Sequence, residues 1–151
     1  MSLTAENFYE TLNTFRVLTK QIDSIDLDTF MRVFGDDEAG VERNIVYVFR
    51  TAKPIPRLRG ESDVVYIGET KGTFKQRYLK NAQRFTSKLN SMKYQHVIDT
   101  YGPIRITLAL YSDFGDSSEQ AEARLLWKYF QNHCEHPPFN YTKPKISDMD
   151  Q

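Results

Sequence analysis

The chain has little of three things that define common classes of protein: cysteine, glycine-rich loops and long apolar runs. Cys134 is the single cysteine in 151 residues, which excludes an intramolecular disulfide and a four-thiolate zinc site. No glycine-rich phosphate loop of the nucleotide-binding kind is present. No apolar stretch is long enough to span a bilayer, and the N-terminus lacks the features of a secretory signal. We therefore expect a soluble, cytoplasmic protein with one main domain.

The net charge is zero, but the charges are segregated along the chain. Residues 1–42 hold nine acidic and three basic residues, whereas residues 43–105 hold thirteen basic and four acidic residues. Residues 106–151 hold four basic and seven acidic residues. A basic central segment is what attraction to DNA or RNA requires, because lysine and arginine release condensed counterions when they meet a phosphate backbone. A merely solvated basic surface is the alternative.

Helical patterns fill the N-terminal part of the chain. Four apolar residues recur at helical spacing and predict an amphipathic helix over about residues 5–22: Phe8, Leu12, Phe15 and Ile22. A second, short helix is predicted between a cap at Asp26 and a stop at Gly35. Residues 1–42 are therefore predicted to form an acidic helical appendage, followed by a domain over residues 43–142 and a polar C-terminal tail over residues 143–151.

Three strands are predicted after the appendage. Residues 44–50 and 63–68 are short β-branched and aromatic runs, and residues 103–111 alternate cleanly between apolar and polar positions. If the first two pair as a hairpin in matching register, Tyr47 and Tyr66 lie on the same face of the sheet. The intervening segment, residues 51–63, is predicted to be a long loop. For either tyrosine alone, simple burial in a sheet is the alternative explanation.

Basic and acidic side chains mark the remaining elements. The helix predicted after Gly68 carries cations at i, i+4 spacing, which repel one another within the helix and thus indicate a use outside the fold. On the final predicted helix, Glu122 lies beside the apolar stripe and is a candidate ligand for magnesium, with a solvated surface residue as the alternative. The residues predicted to contact nucleic acid are Arg57, Arg59, Lys71, Lys75, Lys80, Arg84 and Lys88.

The order of these residues resembles the GIY-YIG nuclease family over roughly residues 44–142. Ile45-Val46-Tyr47 stands where the family has its first motif, and Tyr66-Ile67-Gly68 is its second motif. Arg77 falls at the position of the family's helical arginine, Glu122 at that of its glutamate, and Pro137-Pro138-Phe139-Asn140 is similar to its closing element. The resemblance implies an α+β fold: a small three-stranded antiparallel sheet flanked by helices.

By that resemblance, the expected function is metal-dependent hydrolysis of DNA phosphodiester bonds. Glu122 would hold one divalent cation, Mg²⁺ or another such as Mn²⁺, and water would be the nucleophile. Arg77 would stabilise charge on the phosphoryl oxygens, and Asn140 would help to hold the site together. Tyr47 is the candidate for orienting or deprotonating the water, with Tyr66 assisting by a hydrogen bond. A base role for tyrosine needs a nearby cation that favours the phenolate.

The sequence departs from the family pattern at two positions. Ile45 replaces the first glycine, and Asn81 stands one turn after Arg77, where many members have histidine. The second change leaves proton transfer to a tyrosine or to metal-bound water. Two other functions stay open: a non-catalytic module that binds nucleic acid with the same fold, and a protein-interaction domain that uses the acidic appendage.

The remaining histidines do not indicate a metal site. His133-Cys134-Glu135-His136 contains zinc-ligand types, but adjacent residues cannot readily all face one ion and no second ligand group stands at suitable spacing. His96 is isolated in an amphipathic stretch. DNA therefore remains the only expected partner besides the divalent cation.

Overall fold

One antiparallel sheet and five α-helices make up the protein, whose computed structural model describes residues 2–140. The strands are β1 (Arg16–Val17), β2 (Arg43–Pro56), β3 (Glu61–Thr73) and β4 (Ile104–Leu110). The helices are α1 (Phe8–Leu12), α2 (Leu27–Phe34), α3 (Phe74–Tyr78), α4 (Lys88–Tyr101) and α5 (Ser118–His133). Short 3₁₀ helices cover Asp37–Gly40, Leu79–Thr86 and Tyr111–Asp113. The predicted tail, residues 143–151, and the last two residues of the predicted domain lie outside the described residues.

The α+β class is confirmed, but the sheet has four strands in the order β1-β4-β2-β3 rather than three. All three pairings are antiparallel. The predicted strand at 103–111 is present as β4, and the predicted short helix is present as α2. The side chain of Asp26 caps that helix by accepting from the backbone N–H of Thr29, and Gly35 follows its last residue.

The predicted helix over residues 5–22 is wrong beyond Leu12. Thr14 donates its side-chain hydroxyl to the carbonyl of Thr11, a local bond that competes with helix continuation. The chain then runs along the free edge of β4. The backbone N–H of Leu18 donates to the carbonyl of Ile106, and the backbone N–H of Ile22 donates to the carbonyl of Ile104. The apolar spacing nevertheless predicted burial correctly, since Phe8, Leu12, Phe15 and Ile22 are all buried.

The predicted long loop at residues 51–63 is mostly strand. β2 and β3 continue to a tight turn over residues 57–60, where Gly60 has a φ of +71°. The two prolines of this stretch, Pro54 and Pro56, lie beyond Thr51, the last residue of β2 that pairs with β4. Because this part of β2 pairs on one side only, the missing N–H groups of the prolines leave no ladder bond unmade on the other side.

The predicted cationic helix stripe is also interrupted. Lys80 and Arg84 lie on the 3₁₀ helix that follows α3, whereas Lys88 begins α4. Ser87 separates the two elements because its side chain accepts from the N–H of Asn90 and so starts a new helix. The i, i+4 relation between Arg84 and Lys88 is therefore not realised on one α-helix.

Each face of the sheet carries its own apolar cluster. On one face, α2, α3 and α4 pack over β2 residues that include Ile45, Tyr47 and Phe49. On the other face, α1 and α5 cover Val46 and Val48. Residues 1–42, predicted as an appendage, thus supply α1, β1 and α2 to the sheet and to both clusters.

Candidate active site

A cleft of about 460 Å³ opens beside β3, between α3 and α4 on one side and the start of α5 on the other. Four of the five predicted catalytic residues line it: Tyr66, Arg77, Glu122 and Asn140. They come from β3, α3, α5 and the segment after α5, so the fold brings together residues that are far apart in the chain. The fifth, Tyr47, lies behind Tyr66, with 6.2 Å between the ring centroids.

Tyr47 and Gly68 stand opposite each other in the ladder of β2 and β3. A Cβ added at Gly68 would lie 2.5–2.7 Å from the outer ring atoms and hydroxyl of Tyr47, closer than real Cβ atoms approach. The Tyr47 ring thus occupies the space that a side chain at position 68 would need. This close approach explains why glycine ends the Tyr66-Ile67-Gly68 motif, and it holds the backbone beside Tyr66 in place.

Gly68→Ala is expected to destabilise the protein by about 1–3 kcal/mol, because the added methyl group overpacks the site and displaces the Tyr47 ring. Gly40→Ala is the matched control, since a Cβ there meets only the flexible side chain of Lys75 at 3.3 Å. Urea unfolding of the two variants checks the difference. Equal stability of both variants would contradict the packing described here.

The hydroxyl of Tyr47 is engaged inside the protein. It accepts a hydrogen bond from the Tyr78 hydroxyl at 3.0 Å and donates to the carbonyl of Glu69 at 3.4 Å. Burial raises the pKa of Tyr47 above its usual value, and this effect exceeds the opposing influence of Arg77. The shift is opposite to the one that the predicted base role requires.

Of the two tyrosines predicted to be catalytic, Tyr66 is the one that lines the cleft. Burial raises the pKa of Tyr66, and the nearby Glu122 carboxylate acts in the same direction. The phenol is therefore neutral near pH 7 and is available as a hydrogen-bond donor.

Asn140 binds the exposed edge of β3 with both ends of its amide. Its Nδ2 donates to the carbonyl of Ile67 at 2.9 Å, while its Oδ1 accepts from the N–H of Ile67 at 3.0 Å. The N–H of Phe139 adds a bond to the carbonyl of Val65 at 2.9 Å. These three bonds fix the backbone on both sides of Tyr66, which agrees with the expected role of Asn140 in holding the site together.

Glu122 is recessed in the wall of the cleft: it lines the cleft from α5 and is partly buried. Burial raises the pKa of Glu122 to about 7, and the negative charges of Glu69 and Glu119 add to the effect. A carboxylate in such surroundings gains from a cation placed beside it. The residue is thus suited to hold a cation that enters the cleft.

The oxygen ligands that the cleft offers fit a magnesium ion if a substrate phosphate supplies further ligands. Within residues 2–140, no three His, Cys, Asp or Glu side chains converge as a ready-made metal cage. Mg²⁺ often takes only one or two carboxylates and completes its octahedron with water and phosphate oxygens. Glu122 alone is therefore compatible with a magnesium ion that is shared with a bound phosphate.

Arg77 lines the cleft from α3. A capping box between Thr73 and Gln76 begins α3 and sets the direction in which the helix leaves β3. The guanidinium carbon of Arg77 lies 5.5 Å from the ring centroid of Tyr78, and the residue is exposed. The N–H donors of the Arg77 guanidinium are therefore accessible to a phosphate bound in the cleft.

The predicted nucleic-acid contacts fall into four groups, of which three contain side chains on the cleft, on a second groove or on the exposed surface. Arg84 lines the cleft, and Lys75 and Lys80 line a second, open groove of about 630 Å³ that also contains Arg43. Lys71 and Lys88 are exposed, and the Lys71 ammonium lies 3.6 Å from Glu119.

Arg57 and Arg59 are engaged within the protein. Arg57 donates to the carbonyl of His136 at 2.9 Å and pairs with Glu135 at 2.7 Å. Arg59 donates to the carbonyls of Gln131 and Asn132 at the end of α5. Both arginines tie the β2–β3 turn to the C-terminal end of α5. That Arg57 and Arg59 also contact nucleic acid stays a prediction.

Sequence reasoning missed Asn90 and Lys93, which line the cleft from α4. The position of Asn90 was the available signal, because it lies three residues before Lys93 and four before the buried Tyr94, and residues three and four apart lie on one face of a helix. His133 was considered only as a zinc ligand. Its Nδ1 contacts the carbonyl of Arg59 at 2.9 Å and its Nε2 contacts the Tyr9 hydroxyl, so both ring nitrogens are bound within the fold.

No family model, no curated protein and no solved structure matches this chain. Among residues 2–140, no helix has the length and apolar character needed to cross a membrane. The function is therefore inferred from the cleft itself.

Proposed function

We propose that the protein is a divalent-metal-dependent endonuclease that hydrolyses DNA phosphodiester bonds, with a site of the GIY-YIG type. The observation that carries the proposal is the convergence of Tyr66, Arg77, Glu122 and Asn140 on one cleft. A recessed carboxylate, a guanidinium group and a neutral phenol are together suited to a phosphate and its cation. The basic residues around the cleft supply the long-range attraction to DNA.

Each residue has a distinct part in the proposed reaction. Arg77 binds the phosphoryl oxygens and stabilises the negative charge that develops on them as water attacks. Tyr66 donates a hydrogen bond to the phosphate or to the attacking water. Asn140 keeps β3, and with it Tyr66, in position through Ile67. A cation held by Glu122, Mg²⁺ or Mn²⁺, would supply Lewis-acid stabilisation of the phosphoryl group.

Arg77→Ala tests the proposal. Cleavage of supercoiled plasmid in magnesium is expected to slow by about 10²–10³-fold, the usual cost of removing one group that stabilises transition-state charge. Arg32→Ala is the matched control, because Arg32 is exposed on α2 and does not line the cleft. Equal cleavage by wild type and Arg77→Ala, in preparations free of contaminating nuclease, would refute the proposal.

Tyr47→Phe is expected to retain cleavage within about tenfold, because Tyr47 is buried and its pKa is raised, whereas loss of a general base costs about 10²–10⁴-fold. Cleavage rates of the variant across pH 6–9 check this expectation. A loss above about 10²-fold in a variant with wild-type stability would restore Tyr47 as the base.

A nucleic-acid-binding module without turnover is the second candidate. Asn81 favours it, because this residue lines the cleft at the position where the resembled family often has histidine. Ile45 does not bear on the choice, since it is fully buried in the sheet and pairs with Thr70 and Leu110. Salt-sensitive DNA binding without cleavage, unchanged in Glu122→Gln, would identify this candidate.

A further inference from the structure

The cleft that contains Glu122 and Arg77 is also lined by aromatic side chains. Phe85, Tyr94 and Phe139 line it, with ring centroids 5.6 Å apart for Phe85 and Tyr94 and 4.7 Å apart for Tyr94 and Phe139. Asn81 and Asn90 also line the cleft, and each donates one amide N–H to a backbone carbonyl, of Arg77 and Arg84 respectively. Flat apolar surfaces next to amide donors and acceptors suit a planar heterocycle with polar edges, which is the chemistry of a nucleobase.

A continuous duplex does not offer such a group to the cleft. Its bases are stacked on one another, so their faces are hidden and only their edges and the phosphates are accessible. The cleft of about 460 Å³ falls within the size of pockets that enclose small molecules, about 300–1,000 Å³. It therefore has room for one nucleotide rather than for a section of helix.

The depth of Glu122 leads to the same conclusion. Glu122 lines the cleft and is partly buried, so its carboxylate is not freely presented at the protein surface. A phosphate that reaches it has to leave the regular path of the duplex backbone. This displacement costs least where the nucleotide is already unpaired or mismatched.

We propose that the cleft binds an unpaired nucleotide next to the scissile phosphate, so that the preferred substrate is DNA with a locally single-stranded or bulged segment. The inference rests on the proposed function for the position of the scissile phosphate. The partly buried ring of Phe85, packed against the buried Tyr94, binds the base, and Arg77 and Arg84 bind the neighbouring phosphates.

The test compares three labelled DNA substrates of one sequence: a continuous duplex, a duplex with a three-nucleotide bubble, and the single strand. Wild-type protein in magnesium is expected to cut the bubble at least about tenfold faster than the duplex, since one stacked base contributes about a factor of ten or more. Equal rates on bubble and duplex would overturn the inference and leave the proposed function intact.

Phe85→Leu removes the aromatic face and keeps an apolar side chain where Phe85 packs against Phe30 and Phe34. It is expected to slow cleavage of the bubble by about tenfold and to slow cleavage of the duplex by a clearly smaller factor, so that the preference for the bubble falls. Phe114→Leu is the matched control, because Phe114 is also partly buried but packs against Phe15, away from the cleft. Equal loss on both substrates, or in both variants, would contradict a base-binding role.

A binding measurement separates this inference from the proposed function. A 2-aminopurine placed in the bubble is expected to change fluorescence on binding Glu122→Gln protein, and to change less when Phe85→Leu is added. Absence of cleavage on every substrate would refute the nuclease, and the fluorescence change would then still support a base-binding cleft. No fluorescence change on saturating binding would overturn the inference.

Discussion

Glu122→Gln is expected to make the protein more stable at pH 8, and its advantage over wild type is expected to grow by about 2 kcal/mol between pH 5 and pH 8. In the folded protein the pKa of the Glu122 carboxyl is about 7, whereas in the unfolded chain the carboxyl releases its proton near its ordinary pKa of 4.5. Between these values the folded state binds more protons, so stability falls as pH rises. Glutamine is neutral throughout and avoids this loss.

Urea unfolding of both proteins at pH 5 and pH 8 measures the effect. Glu10→Gln is the matched control, because Glu10 is exposed on α1 and does not line the cleft. If the difference between Glu122→Gln and wild type is the same at both pH values, Glu122 is solvated and the recessed carboxylate of the proposed site does not exist. A stabilised but inactive variant would show that this residue is kept for function at a cost in stability.

Phe34→Ala is expected to destabilise the protein by about 3–5 kcal/mol, the usual cost of removing a fully buried phenylalanine ring. Phe34 lies on α2, and its ring contacts Phe30, Phe74, Tyr78 and Phe85. Three of these rings belong to α3 and the 3₁₀ helix that together support the cleft. The N-terminal part of the chain therefore stabilises the element that carries Arg77.

Phe114→Ala provides the comparison in the same measurement. Its ring is partly buried and contacts Phe15, so its loss is expected to cost clearly less than the loss of Phe34. Urea unfolding of the two variants gives both free energies. A cost below about 1 kcal/mol for Phe34→Ala would mean that α2 packs loosely and that residues 1–42 act as a separate unit.

Sequence reasoning succeeded where one local signal decides the structure. The alternation in β4 and the Asp26 cap of α2 are such signals, and both elements are present as predicted. The grouping of Tyr66, Arg77, Glu122 and Asn140 was expected from a resemblance, and these residues line one cleft. No periodicity within the chain connects residues so far apart, so local patterns alone could not have brought them together.

The predictions that were wrong have a common physical cause: contacts with residues far away in the sequence overrode the local conformational preference of the chain. Val17 belongs to a strand because β4 has a free edge beside it, and nothing near residue 17 carries that information. Pro54 and Pro56 indicate a loop when the sequence is considered alone. They are compatible with a strand because this part of β2 pairs with β3 but not with β4. Arg59 looked like a free cation, but its guanidinium binds carbonyl groups at the end of α5.

The most direct test of the nuclease proposal is the rate of magnesium-dependent nicking of supercoiled plasmid by wild type and Glu122→Gln, with Glu10→Gln as the control. We expect nicking by wild type and by Glu10→Gln, no nicking without magnesium, and a loss of at least about 10²-fold in Glu122→Gln. Cleavage by folded Glu122→Gln at the wild-type rate would contradict the account, because the cleft would then not be the site of the reaction.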